Sequence, residues 1–343
     1  MTAEILSTHT PALFAAAVKR AAELLCRGEV VALPTETVYG LAANALNEKA
    51  VAKIFQIKGR PANNPVIVHV AGVEMARRCV SYWPAVADRL AKAFWPGPLT
   101  LVLPRTREIP DLVTAGGATV GVRWPSHPFI QAVIRACDFP LAAPSANPSR
   151  QVSPTNAEHV RNHLGGKIHL IVDGGQSQVG IESTVLDLTP LLRARAELPE
   201  ILRPGMIHAE SLAAACGEVQ NSKSKIQSQA STLRSPGLLK KHYSPKAKLV
   251  VLNWQNDADL QARLVARHVS LGTCHVIAHT KIPSGENFAR VSVIPHDAEA
   301  FARAIYAELH HCDDAGAEWI VVETPPDLPE WSAIADRLRR AAA

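Results

Sequence analysis

At 343 residues the chain is too long for one ordinary core and predicts two domains of unequal size. With 47% hydrophobic and 20% charged residues it has the composition of a soluble globular protein, and no apolar run reaches the roughly 18 residues that a membrane helix needs. The net charge of +5 is too small to demand nucleic acid, and the six cysteines include no CxxC pair, which excludes the usual zinc or dithiol pattern and predicts reduced, mostly buried thiols.

The N-terminal stretch through Gly28 lacks a basic-then-apolar leader and reads as an amphipathic helix. Leu13, Phe14, Ala17, Val18, Ala21, Leu24 and Leu25 face the core and Gly28 closes it. The apolar run Val30 to Leu33 predicts a buried strand. It turns through Pro34-Thr35-Glu36-Thr37 with Gly40 close behind, so polar side chains gather at a strand end, where α/β sheets bind ligands. A short helix with Val51, Ile54 and Phe55 on one side runs into Lys58-Gly59-Arg60-Pro61, where Gly59 permits a bend and Pro61 stops the helix. Two cations on a stiff turn suit a polyphosphate. The same turn also suits a helix C-terminus whose bases offset the dipole. An apolar strand, Pro65 to Val70, follows.

Glu74 to Phe94 predicts a helix interrupted at Pro84, and Trp95-Pro96-Gly97-Pro98 turns into a strand from Leu99 to Leu103. Thr119 to Trp124 reads as a strand, and Phe129, Val133 and Ile134 mark the helix after it. Pro140 to Asn147 passes from a strand into a small-residue loop, and Thr155 with Glu158 forms a capping-box pattern at the next helix. Strands at Ile168–Val172, Ser183–Leu188 and Ile201–Arg203 complete an α/β pattern, a twisted open sheet of mixed direction layered with helices. From 208 to 247 the chain reads as a linker too long for a routine connection, with Ser235 to Pro245 stiff enough for a lid. Beyond it, strands at Leu249–Leu252, Cys274–Ala278 and Trp319–Val322 alternate with helices at Asp257–His268, Asp297–Cys312 and Trp331–Arg340. They predict a smaller Rossmann-like α/β domain over 248–343, without a G-x-G-x-x-G motif.

No phosphate loop, nucleophile elbow or H-E-x-x-H occurs. Polar groups on strand-end loops could instead converge with Lys58 and Arg60: Thr119, Arg123, Ser145, Asn147, Ser153, Ser183 and Arg203. Arg123 beside Trp124 also fits a cation stacked on a ring, and His69 within VIVHV fits either a core histidine or a ligand contact. Glu182 and Asp173 are candidates to hold Mg2+ with substrate phosphates. This inventory points to positioning and charge stabilisation of an anionic substrate, not to covalent catalysis.

Taken in order, PTETVYGLAANA, KGRPANNPVIVHV, TVGVRWPSHP, APSANPSRQVSPT, GIESTVLDL and ILRPG resemble the YrdC family of L-threonylcarbamoyladenylate synthases. SPGLLKKHYSP followed by a small α/β domain resembles that family's longer form. The resemblance implies a YrdC-like catalytic domain over 1–207, a linker and lid over 208–247, and an extra domain over 248–343. It implies that L-threonine, bicarbonate and ATP give L-threonylcarbamoyl-AMP and pyrophosphate with Mg2+ and no redox cofactor. The product then goes, in the cytoplasm, to proteins that modify tRNA beside the anticodon. By motif, the catalytic residues are Lys58, Arg60, Ser145 and Asn147. ATP contacts fall on Arg60, Asn64, Thr119, Ser145, Ser153 and Arg203, with Tyr243 of the linker closing over the nucleotide. Threonine contacts fall on Thr37, His69, Arg123, Ala143 and Ser183; no metal ligand is assigned. Two departures are Ala42 and Arg150, where members of the family commonly carry glycine. A rival reading is a non-catalytic module binding tRNA or double-stranded RNA, which predicts aromatics interleaved with bases, whereas aromatics are 5% here. Weak RNA binding beside the enzyme activity is compatible with the charge. A second rival is carbamoyl transfer from carbamoyl phosphate, which in relatives accompanies zinc-finger and acylphosphatase-like modules.

Overall fold

In this computed structural model residues 2–192, 197–221, 233–237, 241–284 and 286–343 are described. They form two units, residues 1–149 with 153–238, and residues 150–152 with 239–343.

The first unit opens with a strand, β1 (Glu4–Ser7), where a helix was expected to begin. Pairing explains the difference: β1 lies parallel to β8 (Leu170–Asp173), and that partner is remote in sequence. Helix α1 (Pro11–Cys26) starts only after Thr10, whose hydroxyl accepts the Leu13 N–H, with proline in its first turn. Leu13 is 47% exposed and does not join the core. The chain continues through β2 (Val31–Leu33), β3 (Gly40–Asn44), α2 (Glu48–Lys58) and β4 (Val68–His69). Of the expected 65–70 strand only Val68 and His69 pair in the ladder, and the start of the stretch is held by Arg60, which reaches Pro65 O. Pro84 divides the next helix into α3 (Val73–Cys79) and α4 (Ala85–Phe94). Then come β5 (Leu99–Pro104), α5 (Asp111–Thr114), β6 (Thr119–Arg123), α6 (Pro128–Cys137), β7 (Leu141–Ala142) and α7 (Ala157–Leu164). Asn156, not Thr155, caps α7: its side chain accepts the His159 N–H while Thr155 turns to the His159 ring. Last are β8, β9 (Thr184–Asp187), β10 (Glu200–Arg203), α8 (Ala209–Cys216) and β11 (Gln220–Asn221).

These strands form one mixed sheet of eleven, in the order β1-β8-β2-β3-β7-β4-β6-β5-β9-β10-β11. Helices bury Leu25, Ile54, Leu90, Phe129 and Val160 against it in a continuous core. Within the expected linker, α8 packs on α4, and β11 extends the sheet beside β10, so this part is folded into the first unit. Residues 222–232 and 238–240 lie outside the described residues. Three of the six cysteines, Cys79, Cys274 and Cys312, are buried; Cys26 is exposed, which departs from the expectation of mostly buried thiols.

The second unit contains β12 (Lys248–Leu252), α9 (Asp257–Val265), β13 (Cys274–Ala278), β14 (Arg290–Val293), α10 (Ala298–Asp314), β15 (Trp319–Glu323) and α11 (Ser332–Ala341). Its four strands are all parallel, in the order β12-β15-β13-β14. At the carboxyl ends of β13 and β15, the backbone N–H groups of His279, Thr280 and Lys281 donate to the carboxylate of Glu323. Such an amide nest is where an anion binds in sheets of this kind. Here the protein's own carboxylate fills it.

Candidate active site

The turn after β2 is fixed by threonine hydroxyls. Thr35 Oγ1 donates to Val38 O at 2.6 Å and accepts the N–H groups of Thr37 and Val38. Thr35 Oγ1 also lies 2.9 Å from Thr37 Oγ1. Arg123 Nη1 donates to the same Thr37 oxygen at 2.9 Å. Thr37 Oγ1 is thus held between Thr35 and Arg123.

The loop after β7 is zipped to that turn. Leu41 N–H donates to Pro144 O, Ala146 N–H donates to Tyr39 O, and Gly40 bridges Ser145. A Cβ on Gly40 would come 3.3 Å from that of Ala143, so the close approach depends on glycine. The Lys-Gly-Arg turn joins from the other side. Gly59 adopts φ 59° at the end of α2, and Lys58 Nζ donates to Ser145 O and Asn147 O, each at 2.5 Å. Lys58 and Arg60 are both buried, not displayed on an open rim. Burial pushes the Lys58 pKa well below its ordinary value, with Arg60 pushing the same way and Glu182 opposing. Arg60 donates to Asn64 O at 3.0 Å and Asn64 Oδ1 at 2.8 Å, and it also reaches Pro65 O. Asn64 is buried, yet its amide nitrogen has no hydrogen-bond partner.

Strand alternation places the remaining groups on one sheet face. On β6, Thr119, Gly121 and Arg123 share a face, and the register pairs His69 of β4 with Arg123. Thr100 and Val102 of β5 and Val185 of β9 join them, because Val102 pairs with Gly121 and Thr100 with Val185. Ile67, Val102, Val185 and Leu202 pack together as an apolar floor. Above it lies a cavity of about 210 Å³, lined also by Pro65, Val113, Thr114, Thr119 and the segment from Leu233 to Pro236. Gly121 keeps it open, since a Cβ there would lie 3.1 Å from Thr100 Cγ2.

Beside this floor, Ser183 Oγ contacts Thr100 Oγ1 at 2.8 Å and accepts from Arg203 Nη2 at 3.0 Å; Arg203 Nε also donates to Ser183 O. Ser153 donates to Glu182 Oε1 at 2.6 Å. Arg123 pairs with Glu36 at 2.7 Å and does not stack on Trp124, since its Nε donates to Gly97 O. His69 is pushed down to about 3 by burial first and then by Arg123, so its imidazole is neutral, and Nδ1 has no hydrogen-bond partner.

Lys58, Arg60, Asn64, Ser145 and Asn147 thus gather in one cluster, Thr37, His69 and Arg123 in a second, and Ser183 and Arg203 in a third, with Thr119 on the cavity wall. Ser153 meets the first group through Glu182, which Lys58 senses electrostatically. Ala143 donates its N–H to Ile67 O between the first two clusters. Tyr243 belongs to the second unit, where its buried ring stacks on Tyr306 and carries Arg337 at 5.2 Å. Asp173 ends β8 and accepts the Gly175 N–H, while Glu182 accepts from Ser153. Sequence reasoning missed Thr100 and Glu36. A polar residue inside an apolar strand, and an acid beside Thr37, were the available signals. Arg150 explains one departure from the family pattern, for it adopts φ 73°, a conformation that favours glycine.

A mixed sheet with an apolar cavity on one face, and with buried cations and hydroxyls on the loops and strands beside it, has the character of an α/β enzyme acting on a small anionic substrate. The Sua5/YciO/YrdC family model, described as telomere recombination, matches residues 23–205, and the model of the threonylcarbamoyl-AMP synthase C-terminal domain matches 207–343. The threonylcarbamoyl-AMP synthase of Pyrococcus abyssi is 38% identical over 95% of this chain and 94% of its own length. The Bacillus subtilis protein of that name is 38% identical over 98% of this chain and 94% of its own. A solved structure of P. abyssi Sua5 complexed with L-threonine superposes with TM-score 0.85 at 38% identity, covering 95% of this chain and 94% of that one. The chain belongs to the threonylcarbamoyl-AMP synthase family.

Proposed function

We propose that the chain condenses L-threonine, bicarbonate and ATP into L-threonylcarbamoyl-AMP and pyrophosphate. The observation that carries this reading is a pair of buried cation clusters, one on the turn after α2 and the loop after β7, the other on the sheet face that holds an apolar cavity. One cluster, Lys58 and Arg60 with Asn64, Ser145 and Asn147, suits a triphosphate. The other, Arg123 with Thr37 and His69, suits an amino acid.

Threonine's carboxylate meets Arg123, and its hydroxyl or ammonium donates to Thr37 Oγ1 or to neutral His69 Nδ1. Ser183 and the Ala143 backbone complete that subsite. Once the ammonium has released a proton to solvent, the neutral amine attacks the carbon of bicarbonate, the hydroxyl group leaves as water with a second amine proton, and a carbamate forms. A carbamate oxygen then attacks the α-phosphorus, and pyrophosphate departs. Arg60, the partnerless Asn64 amide, Ser145, Ser153, Thr119 and Arg203 hold the nucleotide. Lys58, whose protons go to the Ser145–Asn147 loop, fixes that loop's shape and adds charge. A dry cavity protects the carbamate from water.

Among the described residues, no group of three histidine, cysteine or acidic side chains gathers to hold a metal. Mg2+ brought with the ATP phosphates would offset their charge, and Glu182, whose carboxylate acts on Lys58, would be the side chain to meet it. The product passes to proteins that transfer the threonylcarbamoyl group to tRNA in the cytoplasm. No described helix is long and apolar enough to cross a membrane.

Pyrophosphate release from ATP that requires both threonine and bicarbonate is the expected result. ATP hydrolysis indifferent to threonine, or tight RNA binding without turnover, sinks the reading.

A further inference from the structure

The Arg123 corner contains one charged residue that the substrate assignments do not use. Glu36 precedes Thr37, is buried, and brings Oε1 to 2.7 Å from Arg123 Nη2, each side chain only 4% exposed. The other Arg123 nitrogens are committed, Nε to Gly97 O and Nη1 to Thr37 Oγ1. Neither carboxylate oxygen of Glu36 nor Nη2 of Arg123 has a hydrogen bond of good geometry. The pair is held mainly by charge, and the backbone N–H groups of Ser126 and of Glu36 itself also face the carboxylate.

Charge bookkeeping decides what this corner can take. A buried guanidinium alone would favour any carboxylate, but with Glu36 beside it the corner is neutral before substrate arrives. Burial raises the Glu36 carboxyl, yet Arg123 together with the backbone N–H groups of Ser126 and Glu36 more than offsets this and holds it below the ordinary carboxylate value. His69 nearby is neutral. A ligand carrying only a carboxylate would leave one uncompensated negative charge in a dry site. A zwitterion would not, because its ammonium balances the sum.

We infer that Glu36 is a specificity-determining residue, whose carboxylate fixes the Arg123 guanidinium and makes the corner accept a zwitterionic α-amino acid over the same molecule lacking its amine. The inference rests on the assignment of Arg123 to the threonine carboxylate.

The test compares binding of L-threonine and 3-hydroxybutyrate, its deamino analogue, to the full-length protein by calorimetry. In the parent protein threonine binds more tightly. Glu36→Gln, which keeps the shape and removes the charge, narrows the preference by about tenfold or more, the scale of one charge-assisted hydrogen bond. Glu36→Asp keeps the charge and retains most of the preference. A residue that only shaped the turn would weaken both ligands alike, so an unchanged ratio in Glu36→Gln overturns the proposal. If Glu36→Gln does not fold, loss of the preference in a folded Glu36→Asp overturns it as well. Arg123→Gln separates the two layers: threonine binding intact in that variant removes the site assignment itself, whereas lost binding there with an unchanged ratio in Glu36→Gln removes only the role of Glu36.

Discussion

His69 is buried as a neutral imidazole, and this ties stability to pH. Its pKa in the fold is about 3, against an ordinary value of 6.5. Between those values the unfolded chain holds a proton that the folded one excludes. The stabilisation is therefore complete above pH 6.5 and is lost as pH falls, at about 1.4 kcal/mol per pH unit. His69→Gln, which cannot titrate, is expected to flatten the urea-unfolding midpoint between about pH 7 and about pH 5 relative to the parent. Equal slopes in the two proteins would show that His69 does not titrate this way. The same residue marks how far side-chain roles could be read. Lys58-Gly59-Arg60 was legible because a left-handed glycine and a proline stop fix two bases on one turn. Their burial was not, since it arises from carbonyls of Ser145, Asn147, Asn64 and Pro65 that no local pattern announces. Nor could the VIVHV pattern tell a satisfied histidine from one with an open nitrogen.

Elements were legible in proportion to how local their causes are. β13 and the body of α1 follow from apolar runs and caps, whereas β1 and β3 exist through partners far along the chain. GLAAN has the small residues of a loop, yet it pairs on both sides. The segment from Leu233 to Gly237 is a stronger case, because its position is set by charge. Leu233 donates its N–H to Asn63 O, and Arg234 forms ion pairs with buried Asp187 and, at 2.7 Å, with Glu200. This strap walls the cavity. Arg234→Ala is expected to raise KM for ATP about fivefold, equivalent to the ~1 kcal/mol of a partly exposed ion pair, while leaving KM for threonine unchanged. Initial rates with each substrate varied in turn decide it; a rise in the threonine KM instead would place the strap over the other subsite.

At the scale of the molecule, the matter is where the catalytic unit ends. Motif resemblance put that boundary at 207, where the two family models also meet, whereas the compact first unit runs on to 238 and takes α8, β11 and the strap with it. α8 buries Leu212 completely against the core, worth about 2 kcal/mol by itself. β11 covers the open edge of β10, and Arg234 neutralises Asp187. A chain cut at 207 loses all three, while one cut at 238 keeps them. The shorter fragment is thus expected to unfold about 10 °C below the longer, taking roughly 3 kcal/mol lost and the usual slope for a unit of this size. It is also expected to bind ATP more weakly, since it lacks one wall of the cavity. Thermal unfolding followed by circular dichroism compares the two fragments directly. Coincident transitions would mean that residues 208–238 contribute nothing to the unit, and that the boundary belongs at 207 after all.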